Sequence, residues 1–500
     1  MSQYTQEEET IEEIAGGEFE RQAVPQSRLQ SWKAFLGRYA GEHAAGTEFV
    51  IGPLFLTTGV SAFDLIVGLL IGNLMAVLSW RFLTAEIGTK FRYTLYFHLE
   101  KICGKRLVTA YNLANGVLFC FLAGAMITVS ATAVGIPFDM EMPKLTDTTP
   151  NSLTWVIIVI AIGAVISIIA AKGYQTVAKA ANWMSPVIVL AFIACGVVAL
   201  IQLDVHSFTD FWNIWGEGSE PFPGQIKYTF WHVVLWSWFA NAAMHIGMSD
   251  LSVFRFAKKP SAGWTTAGGI YIGHYVAWIA AALLYAVYLK SPEAQAMLAG
   301  GEAPSVAPGP LANNAIGIFG IIAVILAGWT TANPTIYRAG LAFQAIIAVI
   351  LAGWTTANPT IYRAGLAFQA IMPKVSTFWV TIIAGSVATI AGLFPAFAMK
   401  LLGFVALYGF ILAPIGAIIV FDHFFGKAAG IQPFYAEKTG VKFNWAVFGA
   451  WALSFGVFYF ISVQYDVFLS FLTLPAWISC GILFLIFSKF YQTKTAPVST

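Results

Sequence analysis

The sequence predicts an all-α protein that crosses a membrane twelve times. Of its 500 residues, 58% are hydrophobic and 10% are charged, whereas roughly 25% are charged in ordinary soluble domains. The apolar residues form runs long enough to cross a hydrocarbon core, which takes about 20 residues of helix. A transmembrane β-barrel would alternate polar and apolar residues, but stretches such as "SLTWVIIVIAIGAVISIIAA" are apolar throughout. We therefore expect helices embedded in a lipid bilayer.

Loop charge sets the expected orientation of these helices. The predicted spans are 36–60, 63–84, 108–134, 152–171, 179–202, 228–250, 264–289, a block within 312–370, 376–396, 398–421, 444–463 and 466–488. Basic residues precede the first span and follow the second, fourth and sixth, whereas the loops after the third and fifth are acidic. Because positive loops stay in the cytoplasm, we expect an inner (plasma) membrane protein with cytoplasmic tails at 1–35 and 489–500. Residues 1–22, "MSQYTQEEETIEEIAGGEFERQ", are acidic, have no apolar signal-peptide core, and are expected to be disordered or loosely amphipathic.

Transporters, channels, receptors and membrane enzymes all fit this pattern. An enzyme is not expected, because the sequence has no HExxH, no GxSxG and no HxxxH pair on a span, and no enzyme cofactor is expected either. The cysteines form no CxxC pair and indicate small buried side chains rather than a disulfide framework; they are Cys103, Cys120, Cys195 and Cys480. The net charge of +2 gives no sign of a nucleic-acid partner.

Polar residues and helix breakers occur together in the first span, in "RYAGEHAAGTEFVIGPLF". Polar groups persist in hydrocarbon only where protein or a water-filled cavity satisfies them. An unwound helix can offer carbonyl oxygens to a cation and helix ends to a substrate, and on this interpretation Gly46 and Glu48 contact the substrate. In the alternative, the helix starts near Phe49 and leaves Glu42 and His43 in a wet segment beside the membrane. Glu42 and His43 make a poor metal site, because adjacent helical residues point about 100° apart.

The sixth span carries a second polar cluster, in "WHVVLWSWFANAAMHIGMSDLSVFRFAKKP". Asn241 and His245 are four residues apart and are expected to share a helix face, with Trp238 one turn earlier. An aromatic ring beside an amide suits a flat ligand that forms hydrogen bonds, so these residues are predicted substrate contacts. Asp250 and Arg255, at the cytoplasmic end of the span, are expected to form a structural ion pair or a gate.

A segment of 25 residues occurs twice without a change, as Ile321 to Ala345 and as Ile346 to Ala370. Its motif "AGWTTANPTIYRAG" brings one carbonyl and two hydroxyls onto one helix face, and such oxygen ligands suit a hard cation such as Na⁺. Pro359 frees a nearby carbonyl, and Asn358 offers both a donor and an acceptor. In the alternative, the threonines bond only to their own helix. The predicted Na⁺ ligands are Ala352, Thr355 and Thr356, with first-copy equivalents Ala327, Thr330 and Thr331.

The chain resembles the nucleobase:cation symporters, the family of purine/cytosine permeases and hydantoin transporters. The resemblance rests on "LLIGNLMAVLSWRFLTAEIGTKFRYTLYFHLEKICGKR", "SDLSVFRFAKK" and "GWTTANPTIYRAGLAFQAI". It implies the LeuT-type fold, with inverted repeats at 36–202 (spans 1–5) and 228–421 (spans 6–10), two further helices at 444–488, and a central site between broken first and sixth helices.

The resemblance also implies functional residues. Na⁺ would lie between span-one carbonyls near Glu42 and Ala45 and the oxygen ligands of span eight. The base-contacting positions correspond to Phe119, Ala240 with Asn241, and Asn358. Phe119 stands near the place where the family has a tryptophan, so the stacking of the base is expected to differ.

The implied function is secondary uptake of a nucleobase-like or related small nitrogenous heterocycle, by symport with Na⁺ or H⁺ in a monomer with alternating access. Glu48 has no counterpart in the family pattern, which raises the hypothesis of a cationic substrate or of proton coupling. The alternatives are a symporter for another small solute, such as an amino acid or a cationic amine, and a transport-defective or sensory membrane protein.

The duplication admits three outcomes. One copy fills span eight while the other loops out or lies at an interface; both copies insert and invert the later topology; or the duplication is an artificial feature. The alternating loop charge favours the first outcome, with the second copy in the site because it leads directly into the later helices. Arg338 or Arg363 would then lie at the cytoplasmic membrane surface.

Overall fold

A computed structural model describes residues 19–43, 48–134, 143, 147–304, 357, 360–372, 374–396 and 401–495. The structure of these residues is dominated by helices. In chain order they are α1 (Lys33–His43), α2 (Glu48–Ile51), α3 (Leu54–Thr57), α4 (Ala62–Phe91), α5 (Leu95–Cys103), α6 (Lys105–Val134), α7 (Leu153–Ala171), α8 (Tyr174–Gln202), α9 (Phe208–Asn213), α10 (Phe230–Phe239), α11 (Ala242–His245), α12 (Leu251–Phe254), α13 (Pro260–Tyr288), α14 (Pro292–Ala299), α15 (360–371), α16 (Thr377–Gly392), α17 (Leu401–Phe424), α18 (Tyr435–Thr439), α19 (Trp445–Tyr465) and α20 (Leu469–Thr495).

Six helices in the described part of the chain are long and apolar enough to cross a membrane, and four shorter apolar helices accompany them. Polar residues mark where several of them begin, because the first backbone N–H groups of a helix need a partner. Ser61 accepts a hydrogen bond from the Asp64 backbone N at 3.1 Å at the start of α4, and Ser152 does the same for Trp155 before α7. The predicted all-helical membrane architecture agrees with these elements.

The first and sixth predicted spans are both discontinuous. The first consists of α1, α2 and α3, and Gly52 and Pro53 lie between the last two. In the sixth, α10 ends at Phe239 and the chain passes through α11 before a turn in which Met248 has φ +66°. The prediction of a broken sixth helix is therefore confirmed. Residues 44–47 lie outside the described part of the chain.

The other helices pack closely against one another and against the broken spans. Helix α16 packs against α6 and α7, and α4 packs against α10. Helix α8 contacts both α1 and α13, and α20 packs against α17 and α19. Small residues let helices approach closely inside a membrane: a side chain at Gly72 of α4 would lie 2.0 Å from the Ser237 hydroxyl of α10, and one at Gly365 of α15 would lie 2.1 Å from the Thr381 hydroxyl of α16.

We expect Gly72→Val to lower the yield and the thermal stability of the folded protein. The added side chain would also lie 2.2 Å from the Val234 carbonyl oxygen, and overpacking of this kind costs about 1–3 kcal/mol. Gly456→Val in α19 is the matched control, because nothing lies within 4 Å of a Cβ at that position. Thermal unfolding in detergent compares the two variants; equal melting temperatures would contradict the tight α4–α10 contact.

The disordered alternative for residues 1–22 was wrong at residues 19–22, because Phe19 and Glu20 are buried, and the segment 19–32 packs against the helices. Val24 is fully buried, and its backbone N–H donates to the Arg92 carbonyl at 3.1 Å. Gln30 pairs through its backbone with Phe256 and Lys258, at 2.7 and 3.0 Å. These backbone bonds and the buried side chain of Val24 hold residues 19–32 against the rest of the protein. We call the side of the molecule that is covered by residues 19–32 the N-terminal face.

The second copy of the duplicated segment contributes α15. Gly116 of α6 packs against the Phe368 ring, and the Tyr96 hydroxyl donates to the Arg363 carbonyl at 3.2 Å. Helix α15 therefore lies between α6 and α16, where it contacts Thr381 through Gly365. That the second copy fills span eight stays a prediction. The first copy, 321–345, lies outside the described residues.

Candidate functional site

A buried ion cluster joins the two broken helices to α15. Arg363 is 1% exposed, and its guanidinium donates to the Glu42 carboxylate at the end of α1 and, at 2.7 Å, to Oδ1 of Asp250. Arg38 Nε lies 3.7 Å from the second Glu42 oxygen. Two carboxylates therefore hold Arg363 inside the protein, and the expectation that Arg338 or Arg363 lies at the cytoplasmic membrane surface stays a prediction. The partner expected for Asp250 was Arg255, but the structure pairs Asp250 with Arg363.

Asp250 accepts hydrogen bonds from three side chains of this cluster and its surroundings. Its Oδ2 accepts hydrogen bonds from the Tyr39 hydroxyl at 2.9 Å and from the Trp80 indole N–H at 2.8 Å. The residue immediately precedes α12, so the turn after α11 determines where its carboxylate points. The cluster contains two carboxylates and two guanidinium groups, and its formal charges balance. Removing one partner of such a buried pair costs roughly 3–5 kcal/mol, because the other charge stays buried.

Arg255 has different partners on the N-terminal face. Its guanidinium donates to the Phe19 carbonyl at 2.9 Å and to the Tyr362 hydroxyl at 3.4 Å. Tyr362 immediately precedes Arg363 in α15. Arg255 therefore connects the end of the sixth span, the N-terminal segment and α15. These contacts lie beside the ion cluster, because Tyr362 is the neighbour of Arg363.

Three histidines and two tryptophans pack against one another beside the broken helices. The His43 ring lies 4.8 Å from the His274 ring of α13, and the Trp80 ring lies 4.9 Å from the His245 ring. His274 stacks on Trp278 with centroids 4.2 Å apart. The described part of the chain has no group of three His, Cys, Asp or Glu residues that could hold a metal ion. Aromatic surface with polar edges suits a planar organic molecule better.

Sequence reasoning did not select Trp80, His274 or Trp278. Trp80 lies in a π-helical turn of α4 and His274 in a π-helical turn of α13. Such turns are frequent at functional sites, but a continuous apolar run does not reveal them. The histidine inside the seventh span was the one available signal, since ionisable residues in spans usually mark functional sites.

Glu48 is buried at the start of α2, and its carboxylate accepts a hydrogen bond from the Trp278 indole N–H. The alternative in which Glu42 and His43 sit in a wet segment was wrong, because both are buried in α1. Phe119 is fully buried in α6.

The residues predicted on the sixth span point to different neighbours. The Asn241 amide nitrogen lies 3.3 Å from His274 Nδ1, whereas His245 Nε2 lies 3.0 Å from the Trp238 carbonyl. Trp238 donates to the Ser79 hydroxyl at 3.3 Å. The break of the sixth span lies before Asn241, and the His245 backbone N–H donates to the Asn241 carbonyl at 3.2 Å, as in one helical turn, although the two side chains have different partners.

Several predicted site residues lie outside the described residues, and their roles stay predictions. They are Ala45, Gly46, Ala327, Thr330, Thr331, Ala352, Thr355, Thr356 and Asn358.

No family model matches the chain, and a search of curated proteins found no match. Among solved structures, it is similar to Mhp1, a nucleobase-cation-symport-1 family transporter in a closed conformation with bromovinylhydantoin bound, with a TM-score of 0.68, 14% identity and coverage of 95% of each chain. A Na⁺-coupled sialic acid symporter in a substrate-bound outward-open state follows, with a TM-score of 0.60, 13% identity, and coverage of 97% of this chain and 96% of that chain. MhsT in complex with L-phenylalanine has a TM-score of 0.51, 16% identity, and coverage of 93% and 99%.

These likenesses establish the architecture of the chain. It has the LeuT-type fold of membrane transporters, as the sequence predicted. At these identities the likeness defines the fold and does not identify a ligand of this chain.

Proposed function

We propose that the protein is a secondary active transporter that takes up a small nitrogenous heterocycle, such as a nucleobase or a related compound, by symport with Na⁺ or H⁺. The observation that carries this proposal is the buried ion cluster: it ties the broken first and sixth spans to α15 in a fold shared with cation-coupled symporters. Broken helices in such folds usually surround the substrate and ion sites.

Alternating access supplies the mechanism. In the proposed arrangement, spans 1–5 (36–202) and spans 6–10 (228–421) form inverted repeats, and both tails (1–35 and 489–500) are cytoplasmic. Helices 444–488 lie outside the repeats, and the protein acts as a monomer in the inner (plasma) membrane. The N-terminal face is then the cytoplasmic side, where the Arg363 cluster keeps the exit closed. Opening requires Arg363 to separate from Glu42 and Asp250, so cation and substrate binding must favour a state in which this separation is possible.

The proposed substrate residues are those around the two breaks, with Asn241 as the main polar contact. They are Gly46, Phe119, Trp238, Asn241, His245 and Asn358, and Glu48 supports them without touching the substrate. For Na⁺ we propose carbonyl oxygens of Glu42 and Ala45 together with Ala352, Thr355 and Thr356. The Glu42 carboxylate is already bound by Arg363, so only the backbone oxygen of this residue is assigned to the cation.

We expect the double variant Thr355→Ala, Thr356→Ala to need about tenfold more Na⁺ for half-maximal uptake, a loss of about 1.4 kcal/mol in cation affinity. Two hydroxyl ligands are removed while the aromatic surface for the solute remains. The matched control is Thr330→Ala, Thr331→Ala, the same change in the first copy, which should leave the Na⁺ dependence unaltered. Uptake measured across a Na⁺ series checks both. An unchanged Na⁺ response in the second-copy variant would remove this cation site.

The substrate class is tested by uptake in cells that express the chain. Labelled cytosine, hydroxymethylpyrimidine, allantoin and a cationic amine are supplied with and without Na⁺, each with an excess of the others as competitors. The proposal expects saturable, ion-dependent uptake of a heterocycle. Uptake of the amine alone would favour the alternative solute class, and absence of uptake would favour a transport-defective or sensory protein.

A further inference from the structure

Glu48 carries a negative charge that would suit a cationic substrate or a transported proton. Glu48 is 2% exposed, and its Oε2 is the acceptor for the indole N–H of Trp278 in α13. Trp278 is itself completely buried. The carboxylate is thus engaged by a neighbouring helix and fixes the orientation of a large aromatic ring.

The orientation of the Trp278 ring in turn constrains the His274 ring. The two rings stack with centroids 4.2 Å apart and an angle of 16° between their planes. On its other side, His274 meets the His43 ring edge-on at 4.8 Å. Because stacked and edge-on contacts hold an aromatic ring from two directions, His274 has little freedom to rotate while Trp278 stays in place.

His274 in turn binds Asn241 in the break of the sixth span. The Asn241 amide nitrogen lies 3.3 Å from Nδ1 and 3.4 Å from Nε2 of His274. Asn241 immediately precedes α11, a position where asparagine usually accepts hydrogen bonds from the first turn of the helix. Here its side chain makes no such bond. The amide is instead turned towards His274, and the residue is only half-buried.

We propose that Glu48 is a positioning residue, which sets the Asn241 amide for the substrate through Trp278 and His274. With its N–H group directed at His274, Asn241 presents its carbonyl oxygen as the acceptor for an N–H on the edge of a planar heterocycle. The inference rests on the proposed function. It makes Glu48 a hydrogen-bond acceptor whose negative charge is not needed for substrate binding.

Two variants separate hydrogen bonding from charge. Glu48→Gln keeps an acceptor for the Trp278 N–H and should retain the KM of uptake, whereas Glu48→Ala removes the acceptor and should raise KM. Trp278→Phe keeps an aromatic ring but lacks the N–H, and should raise KM to a similar extent. Because the two groups act through one hydrogen bond, the double variant Glu48→Ala, Trp278→Phe should raise KM no further than either change alone.

Trp155→Phe is the matched control. Trp155 is also a buried tryptophan, and its indole N–H donates to the Leu393 carbonyl at 3.0 Å, outside this chain of contacts. It should leave KM unchanged even if it lowers the amount of folded protein. KM and maximal rate are measured for each variant with the solute that the four-compound uptake panel identifies, and the rate is normalised to the folded protein at the cell surface.

Three results would overturn the inference. A raised KM in Glu48→Gln would assign the effect to charge, and additive effects in the double variant would mean that Glu48 and Trp278 act separately. An unchanged KM in Glu48→Ala and Trp278→Phe would show that the chain does not reach the substrate. In each case the unaltered protein still transports, so the proposed function stands. If the unaltered protein takes up none of the four compounds, the proposed function fails and the inference fails with it.

Discussion

Replacing Arg363 with methionine is expected to abolish uptake and to lower the amount of folded protein. The change leaves Glu42 and Asp250 buried without the guanidinium that both carboxylates bind. Breaking a buried ion pair from one side costs roughly 3–5 kcal/mol, a large part of the stability of most proteins. Ion-driven uptake and the monodisperse yield in detergent measure the two effects.

Arg338→Met is the matched control, because Arg338 occupies the same position in the first copy of the duplicated segment. It should leave uptake and yield near those of the unaltered chain. The quadruple variant Arg38→Met, Glu42→Gln, Asp250→Asn, Arg363→Met removes all four charges of the cluster together and should recover much of the folded yield. The opposite pattern, with Arg338→Met inactive and Arg363→Met active, would place the first copy in the site and contradict the role of Arg363.

Deleting one copy of the duplicated segment is expected to preserve uptake or to increase it. Removing Ile321 to Ala345 and removing Ile346 to Ala370 produce the same sequence, so one deletion tests both. A helix of 25 residues is about 37 Å long, enough to cross the bilayer, and a single span-eight position can accept only one such helix. The remaining copy should supply Arg363 and its neighbours unchanged.

Uptake rate per folded molecule is the measurement for this deletion, together with the side of the membrane on which the C-terminus lies. The single-copy chain should transport at least as fast as the full chain and should keep the same C-terminal side. Loss of uptake, or a C-terminus on the other side, would mean that both copies are structural parts of the transporter.

The sequence predicted the helices and the break in the first span because both leave local signals. Long apolar runs mark the spans, and Gly52 with Pro53 interrupts the first of them. Such features depend on residues that are neighbours in the chain, which is the range over which helix propensity and hydropathy act. The break in the sixth span, where α10 ends at Phe239, was implied only by the family resemblance.

The ion cluster could not be predicted in the same way. Arg363 and Asp250 are 113 residues apart, and Arg363 and Glu42 are 321 apart, so only the packing of three helices brings them together. An arginine near the end of a span also fits the membrane surface, which is why its burial was missed. The chain from Glu48 through Trp278 and His274 likewise joins distant segments, and no spacing in the sequence indicates it.

The central claim is that an ion gradient drives uptake of a heterocycle through this fold, and purified protein in liposomes tests it most directly. Each compound of the uptake panel is supplied outside liposomes under an imposed inward Na⁺ gradient, and separately under an inward H⁺ gradient. We expect a heterocycle to accumulate above its external concentration and to leak back when an ionophore collapses the gradient. Accumulation of every compound to its external concentration only, under both gradients, would contradict the account.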